Sequence, residues 1–447
     1  LKRKDYYIIP LVVIFLLLYV ILSSVFPKNA NVIPFFLLLL ALDHYLWASF
    51  KDRVFALKPW FAYTVAFGFW TPTALIVGVT LLSLYYPFTD WYVVKRMYFV
   101  GAYFIIYISK LFPILFLAIN DIVRFFRWMI DKIRNHQLPR RSFREIPRDR
   151  LFLRIGWSLG WALFFLLIAG MLFWVYSYRV REVNIRLADL PESFNGYRIL
   201  QISDLHLGSY GKVDQLEEAI TCANGLNPDV VFFTGDLVNY TTDEAYPYEQ
   251  TLKKLKARDG IFCIMGNHDY GDYISWDKPQ DKEKNLLAIY DLYSRVGWTL
   301  LNNEHVVIRR DSASLGIAGV ENWGFVKRFQ RKGDVAKAIR GIENLPVILM
   351  LSHDPTHWEK IISKDYQDVI DITFSGHTHG FQVGINRGSF RWSPVQFIYE
   401  HWADLYSQTT SSGKTQYLYV NRGLGFIGYP GRVGVLPEIT LIELHKE

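Results

Sequence analysis

At 447 residues, 51% of them hydrophobic and 17% aromatic, the chain is longer than one average domain, and two structural units are expected. The formal charge of +7 would suit a nucleic-acid binder, but ten Lys and Arg residues fall between Arg124 and Arg154, flanked by apolar runs, where a cytoplasmic loop accounts for them. Nucleic acid is therefore set aside as a partner. Two cysteines, Cys222 and Cys263, give neither a disulfide framework nor a metal-type CxxC pair.

A membrane-crossing helix needs about 20 mostly apolar residues, because the hydrocarbon core is about 30 Å thick and each residue rises about 1.5 Å. Five stretches qualify: 7–26, 32–50, 60–86, 97–119 and 155–178. The first has no small-residue cleavage site and further spans follow it, so it is expected as a retained helix. Asp43 and His44 interrupt the second, and two readings stay open. They could line a functional polar cleft, or pair inside the bundle.

Lys2, Arg3 and Lys4, then Lys51, Arg53 and Lys58, then the ten-residue basic set share one side of five spans. Only Lys28, Lys95 and Arg96 lie opposite. The positive-inside rule puts the N-terminus in the cytoplasm of a multi-pass inner-membrane protein and the C-terminal half outside it. Within the basic stretch 120–154, Ile122, Phe125, Phe126, Met129 and Ile133 recur at helical spacing, which fits either an amphipathic helix on an anionic leaflet or an extension of the fourth span.

The domain boundary is expected after Tyr178, giving a helical domain over 1–178 and a soluble domain over 179–447. In the latter, short apolar runs end in Gly, Asp, Asn or His: "YRILQISDLHLG" from Tyr197, "PDVVFFTGDLVN", "GIFCIMGNHDY", "LPVILMLSHDP" and "DVIDITFSGHTHG". These read as buried strands whose carboxyl ends share one site. Asp204 with His206, and His377 with His379, are two residues apart and face the same way on extended chain. Asp236 and the Asn267, His268, Asp269 run each follow a glycine. Any one of these residues has a structural explanation as a cap or a satisfied polar group. A stable fold has no reason to collect so many costly polar groups at adjacent strand ends, and mixed carboxylate and imidazole ligands suit two divalent ions.

With DxH, GD, GNHD, SHD and GHTH in order, the chain resembles the calcineurin-like metallophosphoesterases over about 182–444. "DLPESFNGYRILQISDLHLG" and "NRGLGFIGYPGRVGVLPEITLIEL" are similar to the bacterial membrane-attached branch. The resemblance implies a four-layer αββα sandwich behind an all-α transmembrane bundle of about five helices. It further implies that Asp204, His206 and His379 hold one metal, that Asn267, His353 and His377 hold a second, and that Asp236 bridges them. His268, held by Asp269, would stabilise or protonate the leaving group. Two ions would neutralise phosphoryl oxygens and lower the pKa of a bridging water towards about 7. Manganese is the first expectation, with zinc or iron as alternatives.

The short tether "YSYRVREV" keeps the site near the bilayer, so the expected substrates are phosphorylated or lipid-linked, with membrane lipids as partners. A UDP-lipid pyrophosphatase on the cytoplasmic face is the alternative enzyme. A transporter or sensor regulated by the metal domain is the alternative of another class. The aromatic segment 384–412, with Trp392, Phe397, Tyr399, Trp402 and Tyr406, suits a membrane interface, a docking strip or ordinary packing.

Overall fold

A computed structural model of the chain describes residues 20, 32–83, 85, 86, 91, 93–134, 143, 146–326, 329–387 and 390–447. The first expected span lies, apart from Val20, outside these residues. The chain divides into two compact units: described residues up to Trp91 with Ala102–Phe165, and Tyr92–Gly101 with Leu166–Glu447. The second unit thus includes the end of the last long helix.

Four long helices are described: α1 (Val32–Phe55), α2 (Pro59–Ser83), α3 (Val93–Arg134) and α4 (Arg150–Ala169), the last continued by a π turn through Trp174. Among the described residues, α2, α3 and α4 with its π turn are long and apolar enough to cross a membrane. Helix α1 carries Asp43, Lys51, Asp52 and Arg53 and falls outside that group. The stretch from Asn120 to Arg134 continues α3 unbroken, in keeping with the extension reading. Asp121 there pairs with Arg124 and with Arg148 at 2.6 Å and accepts from Tyr45 at 2.9 Å, so two of the ten basic residues are tied into a local cluster.

Asp43 is fully buried among α1, α2 and α3. Its carboxylate meets Lys110 Nζ at 2.8 Å and accepts from the hydroxyls of Thr73 at 2.5 Å and Tyr107 at 3.1 Å. His44 is exposed. A carboxylate in an apolar bundle is tolerated when paired and hydrogen-bonded in this way, which favours the structural reading of that position.

Among its described residues the second unit holds fourteen strands: β1 (Arg179–Leu187), β2 (Tyr197–Ile202), β3 (Val230–Phe233), β4 (Ile261–Cys263), β5 (Thr299–Leu300), β6 (Glu304–Arg310), β7 (Ala313–Gly319), β8 (Ile348–Leu351), β9 (Ile372–Ser375), β10 (Ile385–Arg387), β11 (Phe390–Trp392), β12 (Asp404–Thr409), β13 (Thr415–Val420) and β14 (Glu438–Lys446). Two six-stranded mixed sheets run β1-β14-β2-β3-β4-β5 and β12-β13-β9-β8-β7-β6, and β10-β11 form a separate hairpin.

Strand alternation explains the layers. In β3, Val230 and Phe232 join an apolar cluster shared with Ile317, Leu349 and Phe374 of the other sheet, while Val231 and Phe233 point to helices α5 (Val213–Gly225) and α6 (Pro279–Val296). Phe232 and Phe374 meet edge to face at 4.9 Å across the middle of the sandwich. The far face of the second sheet is covered by Val335, Ala338, Trp358 and Ile362. The result is the expected αββα sandwich. Because β2, β3 and β4 run parallel, as do β7, β8 and β9, their carboxyl ends come out on one edge.

Replacing one member of the buried pair should cost much more than replacing both. Asp43→Leu should destabilise the helical unit by about 3–5 kcal/mol, whereas Asp43→Leu with Lys110→Leu should recover most of the loss; thermal unfolding in detergent checks this.

Candidate metal centre

The loops that leave β2, β3, β4, β8 and β9 carry the expected ligands within a few residues of each strand end. Their backbones are unusual: Asp204, His206, Asp236, His377 and His379 all have positive φ, between +46° and +72°. Asp and His tolerate that region better than branched side chains, and its clustering here turns successive side chains inward. Two glycines make the approach possible. A side chain at Gly376 would run into Ser203 and the Asp204 carboxylate, and one at Gly266 into the carboxylate of Asp236.

Two groups of ligand atoms result, Asp204 with His206 and His379, and Asp236 with His353 and His377, each with its atoms within 4.8 Å of one another. His206 Nε2 lies 3.0 Å from His379 Nε2, which is 3.4 Å from Asp204 Oδ1. Asp236 Oδ2 stands between the groups, 3.6 Å from His206 Nε2 and 3.2 Å from His353 Nε2. Asn267 Oδ1 and His377 Nδ1 are each 3.2 Å from His353 Nε2.

The outer contacts fit metal ligation. His353 Nδ1 donates to the Thr234 carbonyl at 2.7 Å, which turns the Nε2 lone pair towards the cluster. His377 presents Nδ1 to the cluster while its Nε2 meets the Tyr399 hydroxyl at 2.8 Å and lies 3.6 Å from Asp354. Such partners fix ring orientation at metal sites.

Charge in this cluster is costly. Burial pushes the Asp204 carboxyl up to about 7 and holds the imidazoles of His206 and His377 down to about 3 and about 4. Burial also opposes charge on His353, but the neighbouring Asp236 carboxylate outweighs it and pushes His353 up to about 10. Asp236, though desolvated, is held well below the usual carboxylate range by His353 and His268. The imidazoles of His206 and His377, held neutral beside buried carboxylates, are donors suited to divalent cations, which would favour the ionised carboxylates.

One detail corrects the sequence reading. Asp269 does not hold His268. It faces the other way, accepting from the backbone amides of Asp236, Leu237, Val238 and Gly266 at 2.8–3.2 Å, and so fastens the β3 loop to the β4 loop. Four amides saturate an acceptor better than one imidazole does. The partner of His268 Nδ1 is instead the Asn239 carbonyl at 2.7 Å, and Tyr273 stacks on the ring at 4.0 Å.

Tyr273 also takes a hydrogen bond from Asn267 Nδ2 at 2.6 Å. Asn239 closes the stretch "PDVVFFTGDLVN", but nothing in the sequence gave its carbonyl a role, and Tyr273 lies outside the motifs. Tyr399 lay in the aromatic segment, but nothing in its spacing tied it to His377.

The sandwich and the buried cluster on its strand ends define the class, a metal-dependent phosphoesterase. Residues 197–381 match the family described as calcineurin-like phosphoesterase, and residues 28–173 match a probable calcineurin-like phosphoesterase transmembrane domain. An uncharacterized metallophosphoesterase of Bacillus subtilis is 28% identical over 59% of this chain and 84% of its own length.

A transmembrane protein with metallophosphoesterase domain from Danio rerio is 30% identical, over 60% of this chain and 57% of that protein. A UDP-2,3-diacylglucosamine pyrophosphatase of Chlamydia muridarum is 27% identical, over 58% of this chain and 88% of that one. The protein is thus a membrane-associated metallophosphoesterase.

Asp269→Ala leaves four buried amides without their acceptor. At about 1–3 kcal/mol for each unsatisfied group, it should destabilise the sandwich by about 3 kcal/mol or more; the drop in melting temperature measures it, and an unchanged value would mean that water replaces the carboxylate.

Proposed function

We propose that the protein hydrolyses a phosphoester or pyrophosphate bond in a phosphorylated or lipid-linked membrane substrate. In this reading Asp204, His206 and His379 hold one divalent ion, Asn267, His353 and His377 hold another, and Asp236 is shared. The observation that carries it is the position of Asp236 Oδ2 within 3.6 Å of an imidazole from each group. When bound, the two cations would neutralise phosphoryl charge and activate water. Manganese is the first candidate, with zinc or iron next, since carboxylate, amide and imidazole donors admit all three.

The chain's own residues supply the rest. The Asn239 carbonyl fixes the Nδ1 proton of His268, so Nε2 is the atom that gives a proton to, or donates a hydrogen bond to, the leaving oxygen. Tyr273, stacked on that ring, excludes water from one of its faces and prevents rotation. Tyr399 and Thr234 hold His377 and His353 in the orientation in which their ligand nitrogens face Asp236.

The lipid substrate is supported by the membrane helices and by the pyrophosphatase activity for which the Chlamydia relative is named. A UDP-linked lipid, favoured by that same relative, is the second reading and calls for a cytoplasmic site. The basic connection between α3 and α4 favours the other face: the helix ends that pack with the sandwich are the ones remote in sequence from those ten cations. We propose no transport role, since Asp43 and Lys110, the charges that would serve one, satisfy each other.

Purified protein with added Mn²⁺ should release phosphate from at least one member of a panel of phospholipid, lipid-pyrophosphate and UDP-lipid substrates, and Asp236→Ala should abolish the release. No metal-dependent release from any of them would remove the lipid reading. His268→Ala should lower kcat about a hundredfold or more while KM changes little; a loss confined to KM would instead make His268 a binding group.

A further inference from the structure

The segment between His379 and Tyr399 leaves the metal centre and returns to it. It starts at the turn His379–Phe381 and ends where the Tyr399 hydroxyl meets His377 Nε2 at 2.8 Å. Between these points it is built inside out for a protein in water. In the hairpin, Ile385 pairs with Trp392 and Asn386 with Arg391.

The polar pair is tied to the sandwich, with Asn386 half-buried and Arg391 still exposed: Asn386 donates to Asp404 at 3.0 Å and Arg391 to the Ala403 carbonyl at 3.1 Å. The period of two puts Ile385, Phe390 and Trp392 on the opposite, outer face. Further along, Val395 and Tyr399 are buried anchors, while Phe397 and Ile398 between them are 80% and 67% exposed. A contiguous run of exposed large apolar groups of this kind marks a contact with something apolar.

Its position identifies that partner. Gly384 N donates to Val433 O, Val433 N to Gln382 O, and Arg432 N to Gly170 O at 3.3 Å, so the hairpin is joined through 432–433 to the last turn of the spanning segment Arg150–Trp174. Gly170 is needed there, because any Cβ would strike Val433 at 2.6 Å. In that same turn, Leu172 and Phe173 are exposed at 61% and 71%, as lipid-facing residues of a spanning helix are. The hairpin is therefore joined to the end of a helix long and apolar enough to cross a membrane.

We propose that residues 381–387 and 390–398 form a bilayer-docking surface that holds the mouth of the metal centre at headgroup level. Ile385, Phe390, Trp392, Phe397 and Ile398 enter the boundary between headgroups and acyl chains, where an apolar face buries about 5–10 Å deep. The ligand is the lipid surface itself. The consequence for catalysis rests on the phosphoesterase reading above: the phosphate at headgroup level is within reach of the ligands from which the segment springs.

The full-length protein in vesicles, with Cys222→Ser, tests this through nitroxide labels on F390C and F397C and, as a control on exposed α6, K284C. Power-saturation should put the first two labels below the lipid phosphates and the third in water; all three reading as aqueous would overturn the proposal. The triple variant F390E/F397E/I398E then tests the consequence. It should lose about tenfold or more of its rate on the best vesicle-borne lipid substrate, since membrane binding scales with buried apolar area, and retain its rate on water-soluble bis-p-nitrophenyl phosphate. Equal rates with wild type on both would overturn the role in presentation. Labels at lipid depth in a protein that hydrolyses no lipid would support docking and sink the substrate reading alone.

Discussion

Two carboxylates, an amide and four imidazoles meet at the edge where two face-packed sheets release their parallel strands, and all seven side chains are buried or nearly so. In an interior of low polarity such a cluster is unfavourable without cations to hold it. The surrounding fold is arranged to keep it together. The apolar contact between the sheets, with Phe232 against Phe374 near its middle, fixes the distance between loops that come from different sheets. Asp269 spends its acceptor capacity on four loop amides, and five ligand residues adopt left-handed backbone so that neighbouring side chains converge.

Much of this was legible because the chemistry is concentrated at strand ends. An apolar run closed by DxH, GD or GHTH reports both the strand and the direction in which its carboxyl end points. The orientation of Asp269 was not legible, because sequence adjacency to His268 suggests a partnership that the turn geometry prevents. The Asn239 carbonyl could not be foreseen either: any residue supplies a carbonyl, so no side-chain pattern marks it. Tyr273 and Tyr399 reach the site through loops whose path depends on tertiary packing.

The membrane half repeats this contrast. Span positions follow from hydropathy because the bilayer sets their length, and α2, α3 and α4 lie close to where apolar composition puts them. The fate of Asp43 needed three helices at once: Lys110, Thr73 and Tyr107 are distant in sequence and unremarkable alone. The aromatic segment after the GHTH motif is the intermediate case. Its composition suggested an interface, and its large apolar groups stand exposed while Asn386 and Arg391 are tied to Asp404 and the Ala403 carbonyl.

The central claim is that one carboxylate, Asp236, joins two ions in a single site. Electron paramagnetic resonance of the purified protein loaded with Mn²⁺ tests this most directly, alongside its bound-metal content. The account predicts two manganese ions per chain with an exchange-coupled signal, and loss of that coupling in Asp236→Ala. A single uncoupled ion in the parent protein, or a coupled pair that survives in Asp236→Ala, would contradict it.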